Sequence, residues 1–449
     1  MPAPVSPRVR TSYALGSVGT GGFGTLPGLV LSYYLTDTLG VAAGLASLVV
    51  TVPKVWDVVI DPFIGRLADR YAAQHSSRVP FMLVGALTLP LTFTAVFAAP
   101  LTGPAGAAWV VGAFVLATSS FSLFQVPYIA LPADLAHDYH ARTRLLAPRI
   151  AVLAVAILLF GAGGPAVRDA AGGGASGYLL MGVACGLLMA GGMLATTMGA
   201  GRAARGQVQV AAAETAGTGA LRAGWHAVRT SAPLRALLGT FMLQALATGA
   251  MLAAAQYVAT YTLGEESAVT FLFAALVAPA LLVMVPAQRL AERVGKQRAF
   301  VAATVLFAVA AGSLLLMAAS PGVWVYVSVA LAGVAYAGMQ LYPLAMLPDV
   351  IAADREVSGD RAGVISGVWT AGETAGLALG PTLALLVLAV TGFVSRTGGR
   401  VLDQPPSAQT GVVLIFSVLP AVLALASLLP LRRYRLEESH QVDKEGAGP

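Results

Sequence analysis

Along the chain, long apolar stretches alternate with short polar ones. Twelve stretches approach or exceed the ~20 residues a helix needs to cross a bilayer: 12–36, 42–66, 80–100, 106–133, 147–167, 177–199, 234–262, 268–288, 298–319, 322–347, 362–393 and 410–431. The pattern predicts an all-α polytopic membrane protein with twelve transmembrane helices. A polar segment at 200–233 separates six spans from six. The expected organisation is an N-terminal six-helix bundle at 1–199, a central loop at 200–233, a C-terminal six-helix bundle at 234–431 and a tail at 432–449. The opening "MPAPVSPRVR" is basic enough to start a signal peptide. The apolar stretch after it runs on to Tyr34 without a small-residue cleavage site, so a retained first span is expected.

Composition agrees. Hydrophobic residues make up 57% of the chain and charged residues only 11%, against about 25% charged in soluble domains. The net charge of +6 is therefore no nucleic-acid footprint, since it comes from arginines in loops on one membrane side. That side collects Arg8, Arg10, Arg66, Arg70, Arg78, Arg142, Arg144, Arg202, Arg205, Arg222 and Arg229 in the first half. In the second it collects Arg289, Arg293, Lys296, Arg298, Arg355, Arg361, Arg432, Arg433 and Arg435, while the other side has Arg168, Arg396 and Arg400. The asymmetry predicts that both termini and the central loop are cytoplasmic. The Ala/Gly-rich central loop reads as a flexible tether. Cys185 is the single cysteine, so an internal disulfide is excluded, and the absence of Asn excludes N-glycosylation. Heavy Ala, Gly and Arg usage with three Lys suggests a GC-rich bacterium and its inner membrane. The expected partners are a small-molecule solute and the lipid bilayer, with no nucleic acid and a monomeric state.

The two halves repeat. "RLADR" (66–70) follows span 2 and "RLAER" (289–293) follows span 8; "PYIALP" (127–132) closes span 4 and "PLAMLP" (343–348) closes span 10. Parallel six-span repeats with a midplane site describe the major facilitator architecture. Gly65 through Arg70 also resembles that superfamily's G-x-x-x-D-R loop motif. The motif implies a conformational gate at Asp69 and Arg70, repeated at Glu292 and Arg293, that ties helix ends together in one transport state.

Charges at membrane depth cost about 2.5–3.5 kcal/mol each on insertion scales and persist only with partners or a wet cavity. The sequence places Lys54, Asp57, Asp61, Arg149 and Glu373 there. Lys54, Asp57 and Asp61 share one helical face in "KVWDVVIDPFIGRLADR" (54–70). The two carboxylates, a turn apart, repel if both ionise, and a bound cation or a proton relieves that. Pairing of Lys54 with Asp57 would leave Asp61 more available. Arg149 opens span 5 and is close enough to the surface to snorkel; Glu373, mid-span, is not.

"WDVVIDP" (56–62), "GRLADR" (65–70), "QVPYIALPADL" (125–135) and "LPDVIAADREVSGDRAGVISGVWTAGETAG" (347–376) resemble, in order, the glycoside–pentoside–hexuronide:cation symporters of the melibiose-permease type. The resemblance implies the major facilitator fold and cation ligation at Asp57 and Asp61 with a hydroxyl from Ser122. It also implies sugar contacts at Gln125 and Arg149. Where the family carries a span-11 lysine, this chain has Glu373; Ile60 replaces an amide, and Gly21 and Gln125 replace acidic sugar ligands. The coupling carboxylates are kept while the sugar site is altered.

Other signals carry less. "GTGGFG" (19–24) matches G-x-G-x-x-G but lies inside span 1, so close helix approach is the reading, as for Gly372, Gly376 and Gly380. His75, His137, His140, His226 and His440 are assigned to loops or tails without a ligand set, so no metal is expected beyond a possible sodium at Asp57 and Asp61. No Walker A sequence is present. Tyr257, Tyr261, Tyr342 and Trp369 are candidate cavity aromatics, with Lys54, Gln125, Arg149, Trp369 and Glu373 as solute contacts. The reading is a secondary transporter, not an enzyme. It works by alternating access, without a cofactor and with H+ or Na+ as coupling ion, in symport with a small polar, sugar- or glycoside-like solute. The alternatives are a proton-driven exporter of drugs or secondary metabolites and a non-transporting receptor or scaffold.

Overall fold

The computed structural model describes residues 5–135, 139–207, 218–358, 362–397 and 403–434. His137, His440, Arg361, Arg400 and Arg435 lie outside them, as do the side chains of His140, Arg142, Arg222 and Arg355. Twelve helical segments among the described residues are long and apolar enough to cross a membrane. The first six are α1 (Pro7–Tyr33), α2 (Ala43–His75), α3 (Val79–Val96), α4 (Gly103–Leu135), α5 (Tyr139–Ala170) and α6 (Gly174–Thr196). A short α7 (Thr218–Thr230) precedes α8 (Ala232–Tyr261), α9 (Ala268–Val294), α10 (Lys296–Ser313), α11 (Trp324–Ser358) and α12 (Ala362–Val390). The last span is α13 (Pro406–Phe416) and α14 (Val418–Leu431), broken at Ser417. Pro420 explains the break, because its ring and missing N–H cannot follow a continuous helix through Phe416.

Several helices run past the apolar stretches. α2 continues through "RLADRYAAQH" to His75, where Ser76 ends it in the left-handed conformation at φ 49°. At 33 residues it is about 50 Å long, more than a bilayer's hydrocarbon core. The flexible tether expected over 200–233 is corrected from Thr218 onward, where α7 forms. Leu221, Trp225 and Val228 follow the i, i+4, i+7 rule. Gly224 lies against Val368 of α12, and Ala227 is buried. His226 is accordingly on a helix rather than a loop, and His75 ends α2, stacked on Tyr71.

Small residues set the tightest packing. A Cβ at Gly376 would stand 2.7 Å from the Ala245 side chain and 2.9 Å from the Met242 carbonyl; one at Gly380 would overlap the backbone of Gly249 and Ala250. α12 thus lies directly on α8. In "GTGGFG", Gly19 and Gly22 face Met193 and Met189 of α6, and Gly21 faces Ala156 of α5.

Six spans run up from the arginine-rich end and six run back. The halves meet near the other, charge-poor end. Thr51 and Thr382 hydroxyls are 2.6 Å apart between α2 and α12, and Gly44 faces Ala389. α5 meets α9 through Gly161 and Phe273, and α1 meets α8 through Gly28 and Leu252.

The α8–α12 seam yields a stability prediction. Gly380→Leu forces those backbones apart and should lower the thermal midpoint of the detergent-purified protein, with overpacking costing about 1–3 kcal/mol. Gly367→Leu, where an added Cβ meets nothing within 4 Å, should leave the midpoint unchanged.

Candidate functional site

On the arginine-rich side of the Thr51–Thr382 contact, α2 carries the carboxylates. Trp56 Nε1 donates to Ser119 Oγ at 2.9 Å, fastening α2 to α4. Ser122 Oγ donates to Asp57 Oδ1 at 3.4 Å. Asp61 lies one turn on, and its Oδ1 is buried without a partner. Lys54 acts on both carboxylates electrostatically but forms an ion pair with neither, so the expected Lys54–Asp57 pair is corrected. The reason is direction, since Asp57 turns to α4.

Gln125 sits one turn past Ser122 and accepts from Thr20 Oγ1 at 2.8 Å. Arg149 does not snorkel outward. Its guanidinium lies over the Tyr128 ring, 5.1 Å from the centroid, and its Nε is buried without an acceptor. Tyr128 is itself fixed by donating to the Tyr13 carbonyl at 3.0 Å. In the other half, Trp369 is buried and stacked on Phe241 at 4.5 Å, with its Nε1 unpartnered. Glu373 lies one turn from Trp369 on the same face of α12. The carboxylates with Ser122, Gln125 with Thr20, Arg149 over Tyr128, and Trp369 beside Glu373 form separate groups, and no direct bond among the described residues joins them. Tyr342 belongs to none: it is buried and donates to the Ala287 carbonyl at 3.0 Å.

Near the arginine-rich end, the loop motif pairs differently from the expectation. Arg78, not Arg70, holds the helix ends. It donates to Asp69 at 2.6 Å and to the buried Asp134 at 3.1 Å, while Arg70 is exposed. The turn at Ser76 folds the chain back and brings Arg78 to α2. The second half repeats the latch with Lys296 on Asp349 at 2.6 Å. Glu292 meets Gln288 at 3.4 Å rather than Arg293.

The charge-poor end holds a polar network that the sequence reading missed. Asp37, at the end of the first span, accepts from Arg396 Nε at 2.8 Å, from Thr36 at 2.5 Å and from Tyr261. Arg396 also donates to Tyr33 at 2.6 Å, and Tyr33 donates to Glu266 at 3.0 Å. Nearby, Arg168 donates to Gln256 at 2.9 Å across the two halves. Burial opposes the Arg396 charge, but the hydrogen bond to Asp37 and its neighbouring tyrosines outweigh it and hold the guanidinium above its usual pKa. Tyr257 and Tyr261 line this network rather than an open cavity. The depth list of the sequence therefore lacked Asp37 and Arg168, both near span ends. Their pairing joins residues up to 359 positions apart, which no local pattern signals.

A family model described as "MFS/sugar transport protein" matches residues 12–438. The chain belongs to that family. The chain is 25% identical to the uncharacterized symporter YnaJ of Bacillus subtilis over 91% of this chain and 87% of that one. It is 32% identical to an uncharacterized symporter of Synechocystis over 32% of this chain, and 29% identical to the putative glycoside/cation symporter YagG of Escherichia coli over 30%. Those two matches span only 27% and 30% of the relatives' lengths. In fold it is similar to the nucleoside transporter NupG, with a TM-score of 0.67 at 13% identity over 95% of this chain and 100% of that one. It is likewise similar to a D-xylose–proton symporter, with a TM-score of 0.63 at 14% identity over 94% and 96%. The chain is thus a twelve-helix secondary transporter of the major facilitator superfamily, not an enzyme. No group of three or more metal-ligating side chains occurs among the described residues.

The latch separates two arginines eight positions apart. Arg78→Ala strips a buried pair and should destabilise the purified protein by about 3 kcal/mol. Arg70→Ala should stay within about 0.5 kcal/mol. Thermal unfolding in detergent reads both, and equal losses would mean that Arg78 is not the latch.

Proposed function

We propose that this transporter is a cation-coupled symporter. It carries a small polar solute across the inner membrane by alternating access, as its resemblance to the glycoside–pentoside–hexuronide:cation symporters implies. The observation that carries the reading is the pair Asp57 and Asp61, a turn apart beside Ser122, with an Asp61 oxygen lacking a partner. Such a pair takes one cation or gives up one charge to a proton. The similarity to YnaJ over nearly the whole chain and the shorter one to YagG support coupled uptake. Lys54, Gln125, Arg149, Trp369 and Glu373 are assigned to the solute. Membership of a transporter family weighs against the receptor or scaffold reading.

The arginine-rich end is assigned to the cytoplasm, with both termini, under the positive-inside rule. On that assignment the Asp37–Arg396 lock closes the periplasmic end, and the chain is in its inward-facing state. The bundles at 1–199 and 234–431 rock about the Thr51–Thr382 contact. Asp69, Arg70, Glu292 and Arg293, with Arg78 and Lys296, stand where the cytoplasmic ends come together. The coupling ion is assigned as H+ first and Na+ second. Ile60 removes an amide ligand, leaving Asp57, Asp61 and Ser122 as the oxygen donors, and sodium needs several.

Asp57→Asn and Asp61→Asn should each reduce accumulation in vesicles to simple equilibration while expression is retained; wild-type accumulation by both rules out their coupling role. A pH gradient without sodium should drive uptake, and Ile60→Asn should increase the response to sodium. Uptake driven by sodium alone reverses the ion assignment.

Arg396→Ala should open the periplasmic end. With Cys185 replaced by Ala, a cysteine at Leu252, now packed against Gly28, should react faster with an impermeant maleimide added outside. Unchanged labelling argues that Arg396 is not the lock.

A further inference from the structure

Glu373, assigned to the solute, is a carboxylate carried deep into the second half's membrane core. It lies nine residues into the span Val364–Val390, about 14 Å along the helix from its start, too deep for a glutamate to reach the surface. Among the described residues it has no hydrogen bond and no ion pair. Every other charged side chain described in α8 to α14 sits within a few turns of the arginine-rich end, so that half supplies no cation at depth. A carboxylate in such a place is retained for a ligand or a proton.

Its surroundings favour a ligand. Trp369, one turn away, stacks on Phe241 with the rings inclined at 19°. Tyr336 of α11 lies within the electrostatic reach of Glu373, and Gln340 holds its hydroxyl at 2.6 Å. Between α8 and α11 a small, partly open pocket with room for about one water is lined by Phe241, Gln244, Thr248, Tyr336 and Gln340. Gln244 spends its amide donors on Thr304 and Ser427, and its Oε1 is left buried without a donor. Glu373 beside Trp369, with Phe241, Tyr336 and the unfilled Gln244 carbonyl in the neighbouring pocket, makes this part of α8, α11 and α12 rich in acceptors and aromatic rings. That is the chemistry that binds an ammonium group, by ion pairing and by attraction to the ring faces.

We propose that Glu373, with Trp369, Phe241, Tyr336 and Gln244, forms a subsite for a cationic nitrogen, an amine or quaternary ammonium, on the solute. This rests on the symport reading and names the solute class. In the N-terminal half, Arg149 keeps a buried Nε without an acceptor.

The probes are choline and its uncharged carbon isostere dimethylbutanol, with binding followed by tryptophan fluorescence on the detergent-purified full chain without any ion gradient. Choline should bind and the isostere should not. Glu373→Gln should weaken choline at least about tenfold, a loss of about 1.4 kcal/mol, and Trp369→Phe should weaken it with Glu373 intact. Equal binding of the two probes, or unchanged choline affinity in Glu373→Gln, overturns the proposal. So does loss of pH-driven uptake of a neutral glycoside in Glu373→Gln, which would make Glu373 a proton site. Asp57→Asn separates the two readings. Choline binding retained there, with wild-type vesicles failing to accumulate choline under either gradient, keeps the subsite and removes symport. Gradient-driven uptake of neutral glycosides, with no choline binding, keeps symport and removes the subsite.

Discussion

Hydrocarbon offers no hydrogen-bond partners, and the whole structure answers to that constraint. Twelve helices satisfy their own backbones, so fold class follows directly. Side chains have no such internal solution. Most charged groups sit at helix ends or in loops, and those carried deeper are judged by what they find there. Arg396 and Asp37 find each other and are almost fully buried. Asp61 and Arg149 each keep a buried atom without a partner, and Glu373 has no hydrogen bond among the described residues. In a soluble protein such gaps would be filled by water and carry little meaning. In hydrocarbon no bulk water fills them, which is why these groups carry the proposed function.

The two ends of the molecule use charge differently. At the arginine-rich end, Arg78 with Asp69 and Asp134, and Lys296 with Asp349, bind neighbouring helices within one half. At the charge-poor end, Arg396, Asp37, Glu266, Arg168 and Gln256 bind one half to the other. The first kind of bond can survive a relative rotation of the halves; the second cannot. Buried pairs of this second kind are worth less than they look, because desolvation cancels much of the Coulomb gain. That balance suits a closure that has to open.

Helix periodicity and length made the twelve spans legible from the sequence, and the paired carboxylates of α2 stood out because their neighbours are apolar. The repeat of "RLADR" and "RLAER" located the latch region but not its bonds. The left-handed turn at Ser76, which hands the role to Arg78, leaves no mark in a motif. α7 was hidden by composition: the Ala and Gly around it suggest a tether, while the spacing of Leu221, Trp225 and Val228 suggests a helix. The outer network was out of reach, because Asp37 and Arg396 each look like ordinary loop charges until the fold brings them together.

Where Thr51 touches Thr382 has a mechanical consequence. From Thr51 to Arg70, α2 runs 19 residues, an arm of about 28 Å. A tilt of about 10° about the threonine contact swings the far end by about 5 Å on that geometry. The carboxylates, six and ten residues from the contact, move by about a third and about half as much. The shorter arm moves the proposed ion site less, while the long arm turns the same tilt into a gap of about 5 Å at the far end.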